Sequence, residues 1–205
     1  MPTDKKRPKV NNFIGTIFEI ELPEEIKIGI KDLSKKYAIT PFIFFISAYQ
    51  ILIHRFTHEE VVPIGFPIVG RNEKIYENLI GLFVNTLVFK TDFSLDITFE
   101  ELLKNNWEKF QKILENQDLP FEKVLESLTI QRNTSYTPIF QHFFVMQNIE
   151  FPNLEFDNIN FELLNIHNGT SKFDLTFTIK NNESTLSIEY NSDIFEEDNI
   201  KSFSE

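Results

Sequence analysis

The sequence predicts an α/β fold in which helices cover a mixed, mostly antiparallel sheet. Three observations carry that expectation. Apolar residues recur with helical spacing through the first two thirds of the chain, and the period changes to two in the last third. The third observation is the core material itself: 23 Phe stand against 6 Gly in 205 residues. That length suits one domain able to bury its own core. With 41% hydrophobic residues, disordered and collagen-like classes are excluded.

Residues 1–12, with Lys5, Lys6, Arg7 and Lys9 among prolines, read as a linker or crossing segment, and no apolar signal-peptide region follows. Glu19–Leu22 reads as a strand end. Pro23 at a first helical position, with Glu24 and Glu25 after it, opens a helix to Tyr37 whose face is Ile26, Ile30, Leu33 and Tyr37. Thr40-Pro41 starts a second helix to about His54, apolar nearly all round and so packed on several sides. Val61–Val69 is rich in β-formers but holds Pro63 and Pro67, which donate no ladder hydrogen bond, and therefore reads as an edge or bulged strand. Phe83–Lys90 is a cleaner strand. Thr98 and Glu101 have capping-box spacing ahead of a stripe formed by Phe99, Leu102, Leu103, Trp107, Phe110 and Leu114, with Glu100 and Lys104 paired on the wet side. A short helix follows at Pro120 with Phe121, Val124, Leu125 and Leu128 in helical register. Ile139–Gln147 and Phe161–His167 are strand candidates. Phe173, Leu175, Phe177 and Ile179 then alternate with polar residues, and Leu186, Ile188 and Tyr190 form the second arm of a hairpin looped at Asn181–Glu183.

Twenty Lys and Arg against 31 Asp and Glu give a net charge of −11, the wrong sign for nucleic acid or an anionic membrane. The apolar run Pro41–Tyr49 is too short to span a bilayer. Absence of Cys removes disulfides and thiolate metal sites, and the cytoplasm is the expected compartment. His54 and His58 share a helix face at i,i+4 but lack a third metal ligand, and helix-end cations are the simpler reading. His142 and His167 have no nucleophile or carboxylate at a recognisable spacing. No glycine-rich phosphate loop is present, and two glycosylation sequons are chance matches. No catalytic set is complete, no metal is expected, and no cofactor is expected to bind directly.

Three segments nevertheless form an ordered series: Ile80-Gly81-Leu82-Phe83-Val84-Asn85-Thr86-Leu87, Gln117-Asp118-Leu119-Pro120-Phe121-Glu122, and Arg132 to Phe140. Pro2-Thr3-Asp4, Gly70-Arg71, Gln147-Asn148, Lys172-Phe173-Asp174-Leu175 and Glu189-Tyr190-Asn191 flank them. Over nearly its whole length the chain resembles the C-terminal lobe of a nonribosomal peptide synthetase condensation domain. The resemblance implies a chloramphenicol-acetyltransferase-like layered sandwich forming one lobe of a two-lobed domain. The family's His-His-x-x-x-Asp-Gly motif, which belongs to the other lobe, is absent from this sequence. Residues 1–205 are thus expected to be a C-terminal subdomain, inactive alone. Met1 directly before the family's usual Pro-Thr-Asp suggests a chain cut or engineered at a lobe boundary, with a natural fragment as the alternative.

What the resemblance implies for function is peptide-bond formation between carrier-bound thioesters. The expected partners are an N-terminal condensation lobe, donor and acceptor peptidyl carrier proteins that present 4′-phosphopantetheine arms, and a neighbouring adenylation domain. No catalytic residue is expected in this chain. Asn85 and Thr86 are candidates for the substrate tunnel, with a polar residue satisfied inside a strand pair as the simpler reading of Asn85. Gly81, Phe83, Gln117, Asp118, Pro120, Phe121, Arg132, Ser135 and Pro138 are motif residues with structural roles: Gly81 for close backbone approach, Asp118, Pro120 and Phe121 for starting a helix. Arg132 has two readings, an ion pair across the lobe interface or a solvated loop side chain. Asn133 and Tyr136 replace the family's usual Asp and Arg, so local hydrogen bonding is expected to change. Two other readings share this fold: a noncatalytic interaction domain, and part of a carrier-dependent acyltransferase.

Overall fold

The computed structural model describes residues 1–93, 97–130, 133–147, 166–180 and 183–204, with Ser204 described by its backbone alone. After an extended N-terminal segment come strand β1 (Gly15–Glu21), helices α1 (Glu24–Tyr37) and α2 (Pro41–Thr57), and strand β2 (Val61–Ile68). A loop with one 3-10 turn leads to β3 (Asn85–Asp92), then α3 (Phe99–Leu114) and α4 (Phe121–Ser127). Strands β4 (His142–Met146), β5 (Leu175–Lys180) and β6 (Thr185–Asn191) and helix α5 (Glu197–Ser204) complete the order. The expected strand over 161–167 and the loop at 181–182 lie largely outside the described residues. Glu183, after that loop, is left-handed at φ 70°.

The six strands make one mixed sheet in the order β1-β6-β5-β4-β2-β3. Antiparallel pairing joins β1 to β6, β6 to β5 and β2 to β3, while β4 runs parallel to both neighbours. The period of two explains the layering. Rows such as Phe18, Ile188, Phe177 and Phe144 align across strands on one face and meet the helices there. The opposite face is built from Glu19, Ser187, Thr178 and Val145, and from Ile17, Glu189, Thr176 and Phe143.

Strand β2 corrects the edge-strand expectation, because it lies inside the sheet between β4 and β3. The register shows how two prolines are tolerated there. Phe93 N–H donates to Glu60 O, so in the antiparallel alternation the β2 residues bonded to β3 are the even ones, Val62, Ile64, Phe66 and Ile68. Pro63 and Pro67 therefore turn their missing donors toward β4. Only Gly65 is registered there, against Phe143. Strand β3 begins at Asn85, two residues later than expected, which leaves Gly81 and Phe83 in the preceding loop.

The helices follow their signals with instructive exceptions. Pro23 caps α1 and is not its first helical residue. Ile30 is buried with Ser34, but Ile26 is half exposed. Helix α2 buries Ile43, Ile46, Tyr49 and Ile53 and extends one turn beyond His54. Helix α3 has the expected capping box, with Thr98 Oγ1 accepting from Glu101 N and the Glu101 carboxylate accepting from Thr98 N. The Glu100–Lys104 pair forms at 2.7 Å. Periodicity did not reveal the polar knot beneath that stripe: Asn106 Nδ2 donates to Ser47 Oγ at 2.8 Å and to Gln50 Oε1 at 3.1 Å, while Gln50 Nε2 donates to Phe89 O. Asn106 and Gln50 are fully buried, and this satisfied network fixes α2, α3 and β3 against one another. No single helix among the described residues is long and apolar enough to cross a membrane.

Candidate functional site

Two of the three sequence segments meet at the corner where β2 ends and β3 begins. Asn85 is their knot. Its Nδ2 donates to Gln117 O and Leu119 O, both at 2.9 Å, and its Oδ1 accepts from Thr86 N at 2.9 Å and Phe121 N at 3.2 Å. Two carbonyls on one side and two amides on the other fix the amide orientation. Every strong valence of the side chain thus goes to local backbone, holding the loop before α4 against β3. Thr86 projects to the face of the sheet opposite Leu87, in register with Pro67.

Around this knot the chain is braced by aromatic and polar contacts. Gly70 is left-handed (φ 66°), and a Cβ there would stand 2.0 Å from the Phe83 carbonyl oxygen. Arg71 next to it lies over the Phe83 ring at 4.2 Å and donates to Tyr76 O, while Tyr76 and Phe83 pack at 5.6 Å. Gly81 is close to the same ring: a Cβ would meet Phe83 at 3.2 Å. Its constraint is therefore a side chain, not the neighbouring backbone expected. Asp118 also departs from expectation, since its carboxylate accepts from Asn72 Nδ2 at 2.8 Å and α4 has no side-chain cap. It stands two residues ahead of the cap position, which Pro120 occupies, and ties two loops together. Pro120 O accepts from Lys123 N, so the proline does open α4, from the cap position. The outward side of this brace is apolar: Val69, Ile75, Leu79, Ile80, Leu82 and Val84 are all about half exposed or more.

The third segment performs a different task. Ser135 Oγ and Thr134 Oγ1 both donate to Lys9 O, at 2.8 and 2.9 Å, and Asn11 N donates to Thr134 O. Arg7 lies over Tyr136 and donates to both carboxylate oxygens of the buried Asp174 from Nη1, at 2.8 Å, and from Nη2. Residues 133–136 and 174 thereby clamp the N-terminal segment. Asn133, in place of the usual acid, accepts from Ser135 N at 2.8 Å in a local turn. Pro138 O accepts from Phe140 N across Ile139, whose φ of 69° is unusual for a β-branched residue. That turn aims Phe140 into the space over Gly65, where a Cβ would come within 2.2 Å of the ring. Phe121 packs on Phe140 at 5.6 Å, so the second and third segments touch through these rings. Arg132 lies outside the described residues.

The histidines separate clearly. His142 is buried 3.4 Å from the Tyr49 hydroxyl, and desolvation, reinforced by the positive amino terminus and Arg7, pushes its pKa down to about 3. Burial likewise raises the Tyr49 phenol. His54 Nδ1 bonds Glu59 O at 2.7 Å, and His58 is a left-handed helix cap. His167 has a carboxylate neighbour that its sequence spacing hid, Glu189 at 3.3 Å. No cluster of three metal-ligating side chains occurs among the described residues. The Arg7–Asp174 and Asn72–Asp118 pairs escaped sequence reasoning because their partners are 167 and 46 positions apart.

Comparison with known proteins gives a consistent result. A family model described as "Condensation domain" matches residues 1–205. A linear gramicidin synthase chain of Brevibacillus parabrevis is 38% identical over 209 residues, covering all of this chain and 4% of that protein. A plipastatin synthase chain of Bacillus subtilis (strain 168) is 32% identical, covering 98% of the present chain and 6% of the relative. The chain is thus a small fraction of the length of these relatives. Among solved structures, a four-domain nonribosomal peptide synthetase bound to AMP and glycine superposes with a TM-score of 0.90 at 22% identity, covering 99% of this chain and 17% of that one. The X-domain from teicoplanin biosynthesis superposes at 0.84 and 22% identity, covering the whole chain but 48% of the X-domain.

Proposed function

The chain belongs to the condensation-domain family of nonribosomal peptide synthetases, and from that premise we propose that it is the C-terminal lobe of a two-lobed domain that joins carrier-bound thioesters through an amide. The observation that carries this reading is the coverage of the solved structures: the whole chain corresponds to 48% of the X-domain. The ledge of exposed apolar residues from Val69 to Val84 supports it, since a braced surface of that kind suits a covering partner. The partner in this reading is an N-terminal lobe bearing His-His-x-x-x-Asp-Gly.

In the reaction, an amine nitrogen attacks the thioester carbonyl carbon, and the C–S bond breaks to release the phosphopantetheine thiol, with the amine proton balancing the thiolate. The donor and acceptor carrier proteins present both reactants on 4′-phosphopantetheine. Positioning and polar stabilisation of the tetrahedral oxyanion can supply much of the rate in such aminolysis. This chain contributes a wall. Asn85 is a positioning residue that fixes the Gln117–Phe121 loop, and Thr86 beside it is the residue we place on the substrate passage. The adjacent adenylation domain supplies the activated amino acid, and the cytoplasm is the proposed compartment.

The test is reconstitution. Alone, the chain is expected to form no dipeptidyl product from two aminoacyl-loaded carriers, whereas adding a separately expressed N-terminal lobe restores product detected by intact-protein mass spectrometry. Product from the chain alone overturns the half-domain reading, as does a mixture in which the lobes associate but no N-terminal lobe restores condensation.

A further inference from the structure

Strand β3 ends the sheet, and the register of β2 determines which of its backbone groups are open. Asn85, Leu87, Phe89 and Thr91 oppose the even β2 residues bonded to β3, so Thr86, Val88 and Lys90 turn their N–H and C=O groups outward. Two of those groups are occupied. Thr86 N–H donates to Asn85 Oδ1, and Lys90 O accepts from Lys109 Nζ at 2.8 Å. Between these stops lie Thr86 C=O, both groups of Val88, and Lys90 N–H, with no pairing strand among the described residues.

The open stretch borders a cavity of about 340 Å³ between β3, α3 and α4. Thr86, Leu87 and Val88 all line it, and because consecutive strand side chains face opposite ways, the cavity must run along the strand edge. Ile113, Leu119 and Val124 contribute apolar wall. Its charged lining residues are Lys109 and Lys112, both basic in a chain of net charge −11. An open edge beside a helix-walled apolar groove is the arrangement that accepts an added strand, with backbone bonds giving affinity and alternate side chains giving selectivity.

We propose that the β3 edge at Thr86–Val88 is a strand-addition site for an extended segment of a partner polypeptide, one carrying alternating apolar and acidic side chains. Its backbone pairs with Val88, its apolar side chains enter the groove, and its carboxylates face Lys109 and Lys112. Lys109 sets the length by closing the Lys90 carbonyl, so the added strand is short.

The probe is a fluorescent, end-capped pentapeptide of alternating valine and glutamate, with a valine–lysine pentapeptide as control. Anisotropy is expected to show saturable binding of the acidic peptide and about tenfold weaker binding to a Lys109→Glu, Lys112→Glu double variant. Hydrogen exchange read by NMR is expected to show protection of the Val88 and Lys90 amides on binding. Val88→Pro removes an outward N–H without taking a bond from β2 and should abolish the interaction. No binding, equal binding of the lysine peptide, or binding without protection of those two amides overturns the proposal. So does finding both amides already protected after an N-terminal lobe is added, because that lobe would then occupy the edge.

Discussion

The helix-covered face of the sheet and the braced corner at Gly70–Asn85 are held together by different physics. Phe66, Phe89, Phe144, Leu175 and Ile188 are packed from several elements and are essentially inaccessible to water. Their stability comes from removed apolar area and close contact. At the corner, Asn85, Arg71 and Asp118 hold loops through backbone carbonyls, ring faces and amides, while Ile80 and Leu82 stay in solvent. The contrast teaches that a segment rich in Ile, Leu and Val need not be core. Here polar side chains fix the backbone so that apolar ones can be displayed.

The difference can be broken first from the core side. Phe66→Ala should lower unfolding free energy by about 3–5 kcal/mol in urea titration, because its cavity is walled by rigid neighbours. A loss below about 1 kcal/mol would mean that this face is loosely packed.

A pH titration tests the same face by charge. His142 has a folded pKa depressed to about 3 against an ordinary 6.5, so the unfolded chain takes up the proton first as pH falls. Its contribution is intact above pH 6.5 and is lost toward pH 3, at about 1.4 kcal/mol per pH unit, or about 2 kcal/mol by pH 5. Thermal unfolding from pH 8 to 5 should show that fall, and His142→Phe should flatten it. An unchanged slope in the variant would assign the acid sensitivity elsewhere.

Asn85→Ala addresses the corner. It strands two carbonyls and two amides at partly exposed positions and should cost about 1–2 kcal/mol. Exchange of the Phe121 amide should rise before global unfolding, and condensation by the reassembled domain should fall. Equal exchange in variant and parent would show that the loop is held by packing. The smallest effect belongs to Thr98→Ala, about 1 kcal/mol from the lost cap, read in urea titration.

Much of this organisation was legible in the chain. The capping box at Thr98, the Phe173–Ile179 alternation and the three motif segments all depend on residues close in sequence; helices over a mixed sheet followed from the periods, and the chloramphenicol-acetyltransferase-like layering from the resemblance. The site was less legible. Asn85 was marked by its motif, but three of its four partners lie on a loop more than 30 positions away. Asp174 sits in an alternating strand pattern that gives no sign of burial, and its ion pair reaches to Arg7. Pro63 and Pro67 misled because a proline excludes a strand from one ladder only, and sequence does not say which neighbour lies on that side.

That pair of prolines also shapes the mechanics of the sheet. With Gly65–Phe143 as the registered link, the sheet divides into a β2–β3 pair and a group of β4, β5, β6 and β1. Side-chain packing adds links across that line: Phe42 of α2 meets both Phe66 of β2 and Phe144 of β4, and the Phe140 ring sits over Gly65. Sliding of one half of the sheet past the other is therefore opposed by packed aromatic rings as well as by strand hydrogen bonding.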